Sequence, residues 1–241
     1  ASLVGSEMCI RDSLKGKELE YVTEAVRSEW VSTAGSYVSD FEASIADYVD
    51  AQGAVACQSG TAGIHTALIL AGVKADDLVI VPTLTFIAAV NPVKYLGADP
   101  VFMDCDDSLC IDPKKVRAFC TQECEMRDGV LFHKASNRRV SALVVVHVFG
   151  NMADMGELME IAQEFHLPLI EDATEALGTY YEEGPFAGSY AGTIGDIGIY
   201  SFNGNKIITT GGGGMIVSRS DEYLAHAKHL TTQAKSDPLY Y

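Results

Sequence analysis

The sequence lacks the features expected of a protein that crosses a membrane or binds a nucleic acid. No apolar run reaches the length of about 18 residues that a membrane-spanning helix requires. Lysine and arginine together number 17 against 33 aspartates and glutamates, which gives a net charge of −16. Nucleic acids and anionic membrane surfaces both attract basic patches, so we expect neither as a partner. A local basic pocket for a phosphate is still compatible with this charge.

Motifs of metal sites and of several enzyme classes are absent as well. The six cysteines include no C-x2-C pair, and no nearby histidines complete a set of zinc ligands. We therefore expect no metal, and we expect the reduced thiols of a cytoplasmic protein rather than disulfides. The HExxH, GxSxG and P-loop patterns do not occur. No GxGxxG follows the first predicted strand, which argues against dinucleotide binding.

Apolar runs alternate with amphipathic segments through most of the 241 residues, and 48% of the residues are hydrophobic, enough for a large core. The pattern predicts seven strands, at residues 53–57, 78–81, 100–103, 142–147, 168–171, 197–202 and 215–218. It predicts helices at residues 14–29, 38–49, 61–71, 86–96, 113–120, 154–165 and 221–231. This order indicates an α/β fold with a mostly parallel sheet and helices on both faces.

Three segments depart from the simple alternation. The last two strands are joined by a loop without a helix, so we expect one antiparallel strand there. Residues 123–139 are polar and irregular, and we interpret them as an insertion. Residues 1–13 match nothing that follows, and residues 4–12 look like translated adapter sequence. We therefore interpret residues 1–13 as a non-native leader.

Lys206 lies in the loop between the last two predicted strands, within Asn203-Gly204-Asn205-Lys206 and shortly before four consecutive glycines at 211–214. Glycines permit a close approach of the backbone or a positive φ. A lysine in such a loop is usually a surface residue. It can also be a nucleophilic amine that forms a Schiff base with a carbonyl or with pyridoxal phosphate (PLP). The loop alone leaves both interpretations open.

Other candidate residues follow the ends of the strands, where open parallel sheets bind ligands. The turn Ser59-Gly60-Thr61-Ala62 begins a helix, and it either binds an anion through its N–H groups or forms an ordinary N-cap. Phe86 is either a ring that stacks on a flat cofactor or a core residue. His147 is either catalytic or a hydrogen-bond partner of a carbonyl group.

Carboxylates follow the fifth strand, in Glu171-Asp172-Ala173-Thr174-Glu175. Asp172 either faces a cationic ring nitrogen or caps the next segment. Together, an amine, a carboxylate, an aromatic ring and an anion-binding turn at one edge of a sheet are what PLP needs. The lysine forms the imine, the aspartate keeps the ring nitrogen protonated, and amides and hydroxyls hold the phosphate.

The order of these motifs resembles the DegT/DnrJ/EryC1/StrS family over about residues 14–233. The resemblance is carried by Ser59-Gly60-Thr61-Ala62, Pro82-Thr83-Leu84-Thr85-Phe86, His147-Val148-Phe149-Gly150, Glu171-Asp172-Ala173-Thr174-Glu175, Gly195-Asp196 and Ser201-Phe202-Asn203-Gly204-Asn205-Lys206. Members of this family are PLP-dependent aminotransferases of nucleotide-linked keto sugars. The implied fold is the large domain of the type I aminotransferases, a seven-stranded, mostly parallel sheet with one antiparallel strand.

By this resemblance Lys206 is the Schiff-base lysine and Asp172 is the partner of the pyridinium nitrogen. The implied cofactor-binding residues also include Phe86 against the ring, Glu175 near the ring hydroxyl, and Ala62, with Gly60, Thr61 and Ser201 at the phosphate. Some family members carry histidine at the lysine position and act as dehydratases. Lys206 therefore favours transamination, with a sugar dehydratase as an alternative.

The stretches 29–35 and 202–211 look closest to a branch that aminates C4 of a UDP-linked 4-keto-6-deoxy sugar on the way to legionaminic acid. The resemblance thus implies a nucleotide-sugar substrate, glutamate as donor, a homodimer, and synthesis of precursors for surface polysaccharides or nonulosonic acids. Family members are longer than this chain and add a C-terminal small domain. Residues 14–241 are therefore expected to be the PLP-binding large domain, with the small domain missing.

Two further interpretations compete with an active transferase. A truncated chain could fold and still be catalytically incompetent, because family members supply phosphate and substrate contacts from later residues. A nucleotide-binding α/β module without chemistry is the second, and it leaves Lys206 and Asp172 unexplained.

Overall fold

The computed structural model of the chain describes residues 16–30 and 35–235. The segment 1–13, interpreted above as a leader, lies outside the described residues. Within them, nine strands form one sheet: β1 (Gly53–Cys57), β2 (Leu78–Pro82), β3 (Asp99–Met103), β4 (Cys124–Arg127), β5 (Val130–His133), β6 (Arg138–Val146), β7 (Leu169–Asp172), β8 (Ile197–Ser201) and β9 (Gly214–Ser218).

The main path of the sheet runs β1-β9-β8-β7-β6-β2-β3. Its neighbours pair in parallel from β8 through to β3, whereas β9 pairs antiparallel with both β8 and β1. The prediction of seven strands with one antiparallel strand is therefore confirmed for this path. Since β1 points the same way as β8, the carboxyl ends of β1, β2, β6, β7 and β8 all meet at one edge.

Seven α-helices lie among the described residues: α1 (Glu18–Arg27), α2 (Ser36–Tyr48), α3 (Gly60–Leu70), α4 (Asn91–Tyr95), α5 (Pro113–Ala118), α6 (Met155–Glu164) and α7 (Asp221–Thr231). Side chains alternate across the buried strands, so the sheet has an apolar layer on each face. Leu78 and Ile80 of β2 belong to the core that contains Leu158 and Ile161 of α6. Val79 and Val81 belong to the opposite core, together with residues of α3, α4 and α7.

The interpretation of residues 123–139 as irregular is wrong, because β4 and β5 form an antiparallel hairpin there. Its two-residue turn is Asp128-Gly129, and both residues have positive φ, 50° and 79°. Asp-Gly is a preferred pair in such turns, since glycine adopts this backbone conformation without strain. The hairpin joins the sheet through β5, which pairs with the start of β6, and β6 begins at Arg138, four residues before its predicted start.

The helix predicted at residues 86–96 is also interrupted. A single 3₁₀ turn at Ile87–Ala89 is followed by the short α4, whose first turn contains Pro92. Proline lacks the N–H that a helix interior requires, but it is favoured in the first turn. The break leaves Phe86 in extended backbone, directly after β2 and its connecting turn.

Candidate active site

A cleft of about 270 Å³ lies at the edge of the sheet where the carboxyl ends of the strands meet. Its lining includes seven of the eight cofactor-binding residues predicted from the sequence: Gly60, Thr61, Phe86, Asp172, Glu175, Ser201 and Lys206. Ala62, the eighth, does not line it. These residues come from four separate segments of the chain, and the parallel strand order is what brings them together.

Asp172 is the last residue of β7, and only 5% of it is exposed. Its Oδ1 accepts a hydrogen bond from the backbone N–H of Thr174 at 3.1 Å. Burial raises the pKa of the Asp172 carboxyl, and the Thr174 hydrogen bonds and the charge of Lys206 reduce that effect without cancelling it. Within the described part of the chain no lysine, arginine or histidine nitrogen lies within ion-pair distance of this carboxylate. The site therefore offers a buried negative charge without a cationic partner.

Lys206 extends from the loop after β8 into the cleft, where 16% of its side chain is exposed. Its Nζ lies 3.4 Å from Oε1 of Glu175. Oε2 of the same carboxylate accepts a hydrogen bond from the N–H of Phe149 at 3.1 Å. Glu175 thus connects the lysine to the turn after β6. The sequence did not predict this contact of Phe149, because the donor is a backbone N–H. The positive φ of Phe149, 56°, has no signal in the sequence either.

The start of α3 lies beside these side chains and forms the N-cap that was one of its two predicted roles, while anion binding stays a prediction. Ser59 caps the helix, and its hydroxyl oxygen accepts a hydrogen bond from Ala62 N–H at 3.1 Å. That cap occupies the Ala62 N–H, so this group is already bonded within the chain. Gly60 packs closely against the neighbouring strand ends: a Cβ added there would lie 2.9 Å from Cγ2 of Thr174 and 3.1 Å from Cβ of Ser201.

Phe86 lies at the mouth of the cleft with 74% of its surface exposed. The alternative that it is a core residue is therefore wrong. An exposed aromatic ring above a cleft is available to stack on a flat ligand.

His147 and Glu171 take no part in the lining. Both side chains are fully buried, and Nε2 of His147 lies 2.8 Å from Oε2 of Glu171. Neither side chain reaches the cleft, so His147 is not positioned for direct catalysis. The partner of its Nε2 is a carboxylate rather than the carbonyl group that the sequence suggested.

These residues fit PLP by the chemistry they present. Asp172 supplies a buried anion whose missing partner would be a cationic ring nitrogen. Gly60 stands at the start of α3, where a Cβ would collide with Thr174 and Ser201, and N–H groups at the start of a helix attract a phosphate. Lys206 supplies an amine within the same cleft, and Phe86 supplies an aromatic face. The described residues contain no cluster of potential metal ligands, and none of their helices is long and apolar enough to cross a membrane.

The chain belongs to the DegT/DnrJ/EryC1/StrS aminotransferase family, whose model matches residues 12–239. It is 39% identical over 221 residues to a GDP-perosamine synthase of Escherichia coli O157:H7, covering 92% of this chain and 55% of that protein. It is 30% identical to a UDP-4-amino-4-deoxy-L-arabinose–oxoglutarate aminotransferase of Shewanella sediminis, covering 91% and 51%. The chain therefore spans about half the length of these relatives.

The fold agrees with solved structures of the same family. The crystal structure of DesI in the presence of its TDP-sugar product superposes with a TM-score of 0.77 at 30% identity, covering 91% of this chain and 50% of DesI. The type I aminotransferase fold predicted from the sequence is therefore confirmed. The family is one of PLP-dependent aminotransferases. The likeness to the legionaminic acid branch and the roles of individual residues stay predictions.

Proposed function

We propose that this chain contains the PLP-binding half of an aminotransferase that transfers an amino group from glutamate to C4 of a nucleotide-linked 4-keto-6-deoxy sugar. The observation that carries the proposal is the meeting of Lys206 and Asp172 in one cleft, together with the glycine turn of α3. An amine and a buried carboxylate without a cationic partner are the two groups on which PLP chemistry depends.

Each residue has a distinct task in this proposal. Lys206 Nζ is the atom of covalent attachment, and once released and uncharged it accepts and returns a proton, so one amine serves as nucleophile and general base. Glu175, 3.4 Å from Nζ, keeps the amine inside the cleft. Asp172 would hold the ring nitrogen of PLP through its carboxylate. When bound, PLP supplies an electron sink for the carbon that exchanges its proton.

The substrate class follows from the relatives. Their names specify GDP-, UDP- and TDP-linked sugars, so a sugar nucleotide is the shared chemistry and the base is the variable part. Oxoglutarate in the name of one relative supports glutamate as the donor, because the two interconvert when the amino group moves. We propose UDP as the nucleotide because the sequences of residues 29–35 and 202–211 resemble the branch that acts on a UDP-linked sugar. Residues 31–34 lie outside the described part.

A homodimer is part of the proposal. Large apolar side chains are exposed at Phe86, which lines the cleft, and on segments next to lining residues or their partners, namely at Ile87, Phe149, Ile207 and Ile208. Grouped exposed apolar residues are typical of protein–protein contact surfaces. A second copy seated on this side would shield the cleft from water. The dimer is proposed for the full-length enzyme, so sedimentation equilibrium of the full-length enzyme tests this point, and a monomer at all concentrations would contradict it.

Reduction with borohydride tests the proposed function. The chain is incubated with PLP, reduced, digested and analysed by mass spectrometry, with Lys206→Arg as the matched control. We expect the reduced cofactor on Lys206 alone and no label at position 206 in the control. Labelling spread over surface lysines, without enrichment at Lys206, would overturn the assignment.

The length of the chain favours a second candidate, a protein that binds PLP without completing turnover. It spans about half the length of its relatives, and the other half of those proteins is available to provide substrate contacts. Glutamate-dependent change in the absorbance of bound PLP separates the two. A chain that is labelled at Lys206 but shows no such change binds the cofactor and does not turn over.

A further inference from the structure

The buried pair of His147 and Glu171 lies outside the cleft lining, and Glu171 immediately precedes the lining residue Asp172. A buried carboxylate is costly unless hydrogen bonds compensate it. Glu171 is compensated by four donors: His147 Nε2 at 2.8 Å, Gly192 N–H at 2.9 Å, Ile194 N–H at 2.7 Å, and Gly195 N–H. Burial raises the pKa of Glu171, but the hydrogen bonds from His147 and the loop outweigh it and hold this pKa below its usual value. Glu171 is therefore ionised.

His147 connects this carboxylate to the end of β7. Its backbone N–H donates to the carbonyl oxygen of Asp172 at 3.0 Å. Its Nδ1 accepts from Ala153 N–H at 3.2 Å, so the neutral ring carries its proton on Nε2 and donates it to Glu171. A single side chain thus links the turn after β6, the end of β7 and the segment that leads into α6.

Glu171 in turn connects β7 to the segment 191–196. The backbone N–H groups of Gly192, Ile194 and Gly195, all in this segment, donate hydrogen bonds to the Glu171 carboxylate. The segment is also bound to β8, because the hydroxyl of buried Tyr200 donates to the carbonyl oxygen of Ala191. Ser201, the next residue of β8, lines the cleft. Through these hydrogen bonds the segment 191–196 connects the ends of β7 and β8, which carry Asp172 and Ser201.

We infer that Glu171 and His147 are positioning residues that fix the orientation of the Asp172 carboxylate. Neighbouring residues of a strand point to opposite sides of the sheet. Glu171 therefore faces His147 and the segment 191–196 when Asp172 faces the cleft. The inference rests on the proposed function in one respect. If PLP binds as proposed, the pair orients the group that holds the cofactor's ring nitrogen. It assigns His147 to the reaction through Asp172, without contact with substrate.

The exchange of one amide reports this orientation directly, because Thr174 N–H donates to Asp172 Oδ1. Hydrogen exchange at Thr174, compared with the amides of β3, is measured in His147→Leu, His147→Gln and Asp77→Asn. Leucine removes both ring hydrogen bonds, whereas the amide of glutamine can still donate to Glu171. Asp77 is a similarly buried carboxylate at the opposite edge of the sheet, so Asp77→Asn controls for general loss of stability.

We expect His147→Leu to accelerate exchange at Thr174 by about tenfold relative to β3, since a hydrogen bond to a charged group is worth about that factor. PLP affinity should fall by a similar factor, and His147→Gln should restore most of both. Asp77→Asn should change neither the exchange at Thr174 relative to β3 nor the PLP affinity. Equal changes at Thr174 and β3 in His147→Leu would overturn the inference. Failure of the unaltered chain to bind PLP would contradict the proposed function instead, and exchange at Thr174 would still decide whether the pair holds Asp172.

Discussion

The carboxylates at the amino edge of the sheet and those that line the cleft at the carboxyl edge differ in how completely they are paired with cations. At the amino edge, Asp77 precedes β2 and accepts hydrogen bonds from Nε of Arg139 at 3.1 Å to each of its oxygens. Asp99 at the start of β3 pairs with Arg138 at 2.7 Å and with Lys94. Every carboxylate named here has a cationic partner within the fold.

At the carboxyl edge, Asp104 and Glu171 have partners in Lys115 and His147, but the two carboxylates that line the cleft are incompletely paired. Asp172 has no cation beside it in the described part of the chain, and the contact of Lys206 with Glu175 is long at 3.4 Å. Buried charges without partners cost stability, so a fold keeps them where a ligand supplies the partner. The comparison separates carboxylates that are paired within the fold from the cleft carboxylates that we propose to lie near a cofactor.

The largest effect that would test this contrast is expected from Asp172→Asn. Activity of the PLP-bound enzyme should fall by about 100- to 1000-fold, because a neutral amide no longer stabilises a protonated ring nitrogen. The same change should raise the free energy of unfolding of the PLP-free chain at neutral pH, since it removes a buried charge.

The sign follows from the raised pKa of Asp172. A carboxyl whose pKa is higher in the folded state stabilises the fold fully at pH values below its unfolded pKa, and this contribution is lost as pH rises through the folded pKa. The stability gain of Asp172→Asn should therefore vanish in acid, where Asp172 is protonated in both states. Urea unfolding at neutral and acidic pH measures it, and a loss of stability at neutral pH would contradict the contrast.

The next effect belongs to the amino edge. Asp77→Asn should lower the free energy of unfolding by about 2 kcal/mol, because the Arg139 guanidinium loses its charged acceptor. PLP affinity should stay the same within a factor of two or so, which is small against the roughly tenfold effects expected at the cleft. Urea unfolding and PLP titration measure the two quantities. A marked loss of PLP affinity would show that the two edges are not independent.

Much of the fold and of the site could be predicted from the sequence, because the signals are local. Apolar runs of β2, β6 and β7 specify buried strands, and the missing helix between β8 and β9 indicates their antiparallel pairing. Once the strands are parallel, the residues after them must meet at one edge. The carboxylates after β7 and the lysine after β8 were therefore found without coordinates.

The failures have physical reasons of two kinds. The hairpin of β4 and β5 was overlooked because exposed strands such as β4 carry charged residues, although Asp128-Gly129 signals its turn. The role of His147 could not be inferred, because its pairing with Glu171 depends on the register that places Val146 beside Asp172. Residues 24 positions apart along the chain carry no local sign of that contact.

A third effect concerns the anion-binding turn. In Gly60→Ala the new Cβ would lie 2.9 Å from Thr174 Cγ2 and 3.1 Å from Ser201 Cβ, so the strand ends must move apart. We expect PLP affinity to fall by about tenfold, or about 1.4 kcal/mol. Gly156→Ala on α6, away from the cleft, is the matched control and should leave affinity unchanged. Equal affinity in both variants would show that the turn of α3 does not hold the cofactor.

The smallest effect is expected from Phe86→Leu at the mouth of the cleft. Since 74% of Phe86 is exposed, the free energy of unfolding should change by less than about 0.5 kcal/mol. Loss of aromatic stacking should weaken PLP binding by about threefold. Phe102→Leu on β3, an exposed aromatic residue outside the cleft lining, is the control and should not alter PLP binding. If Phe86→Leu instead lowered stability and left PLP affinity intact, Phe86 would be a packing residue, and the carboxyl edge would lose one of the four groups that distinguish it from the amino edge.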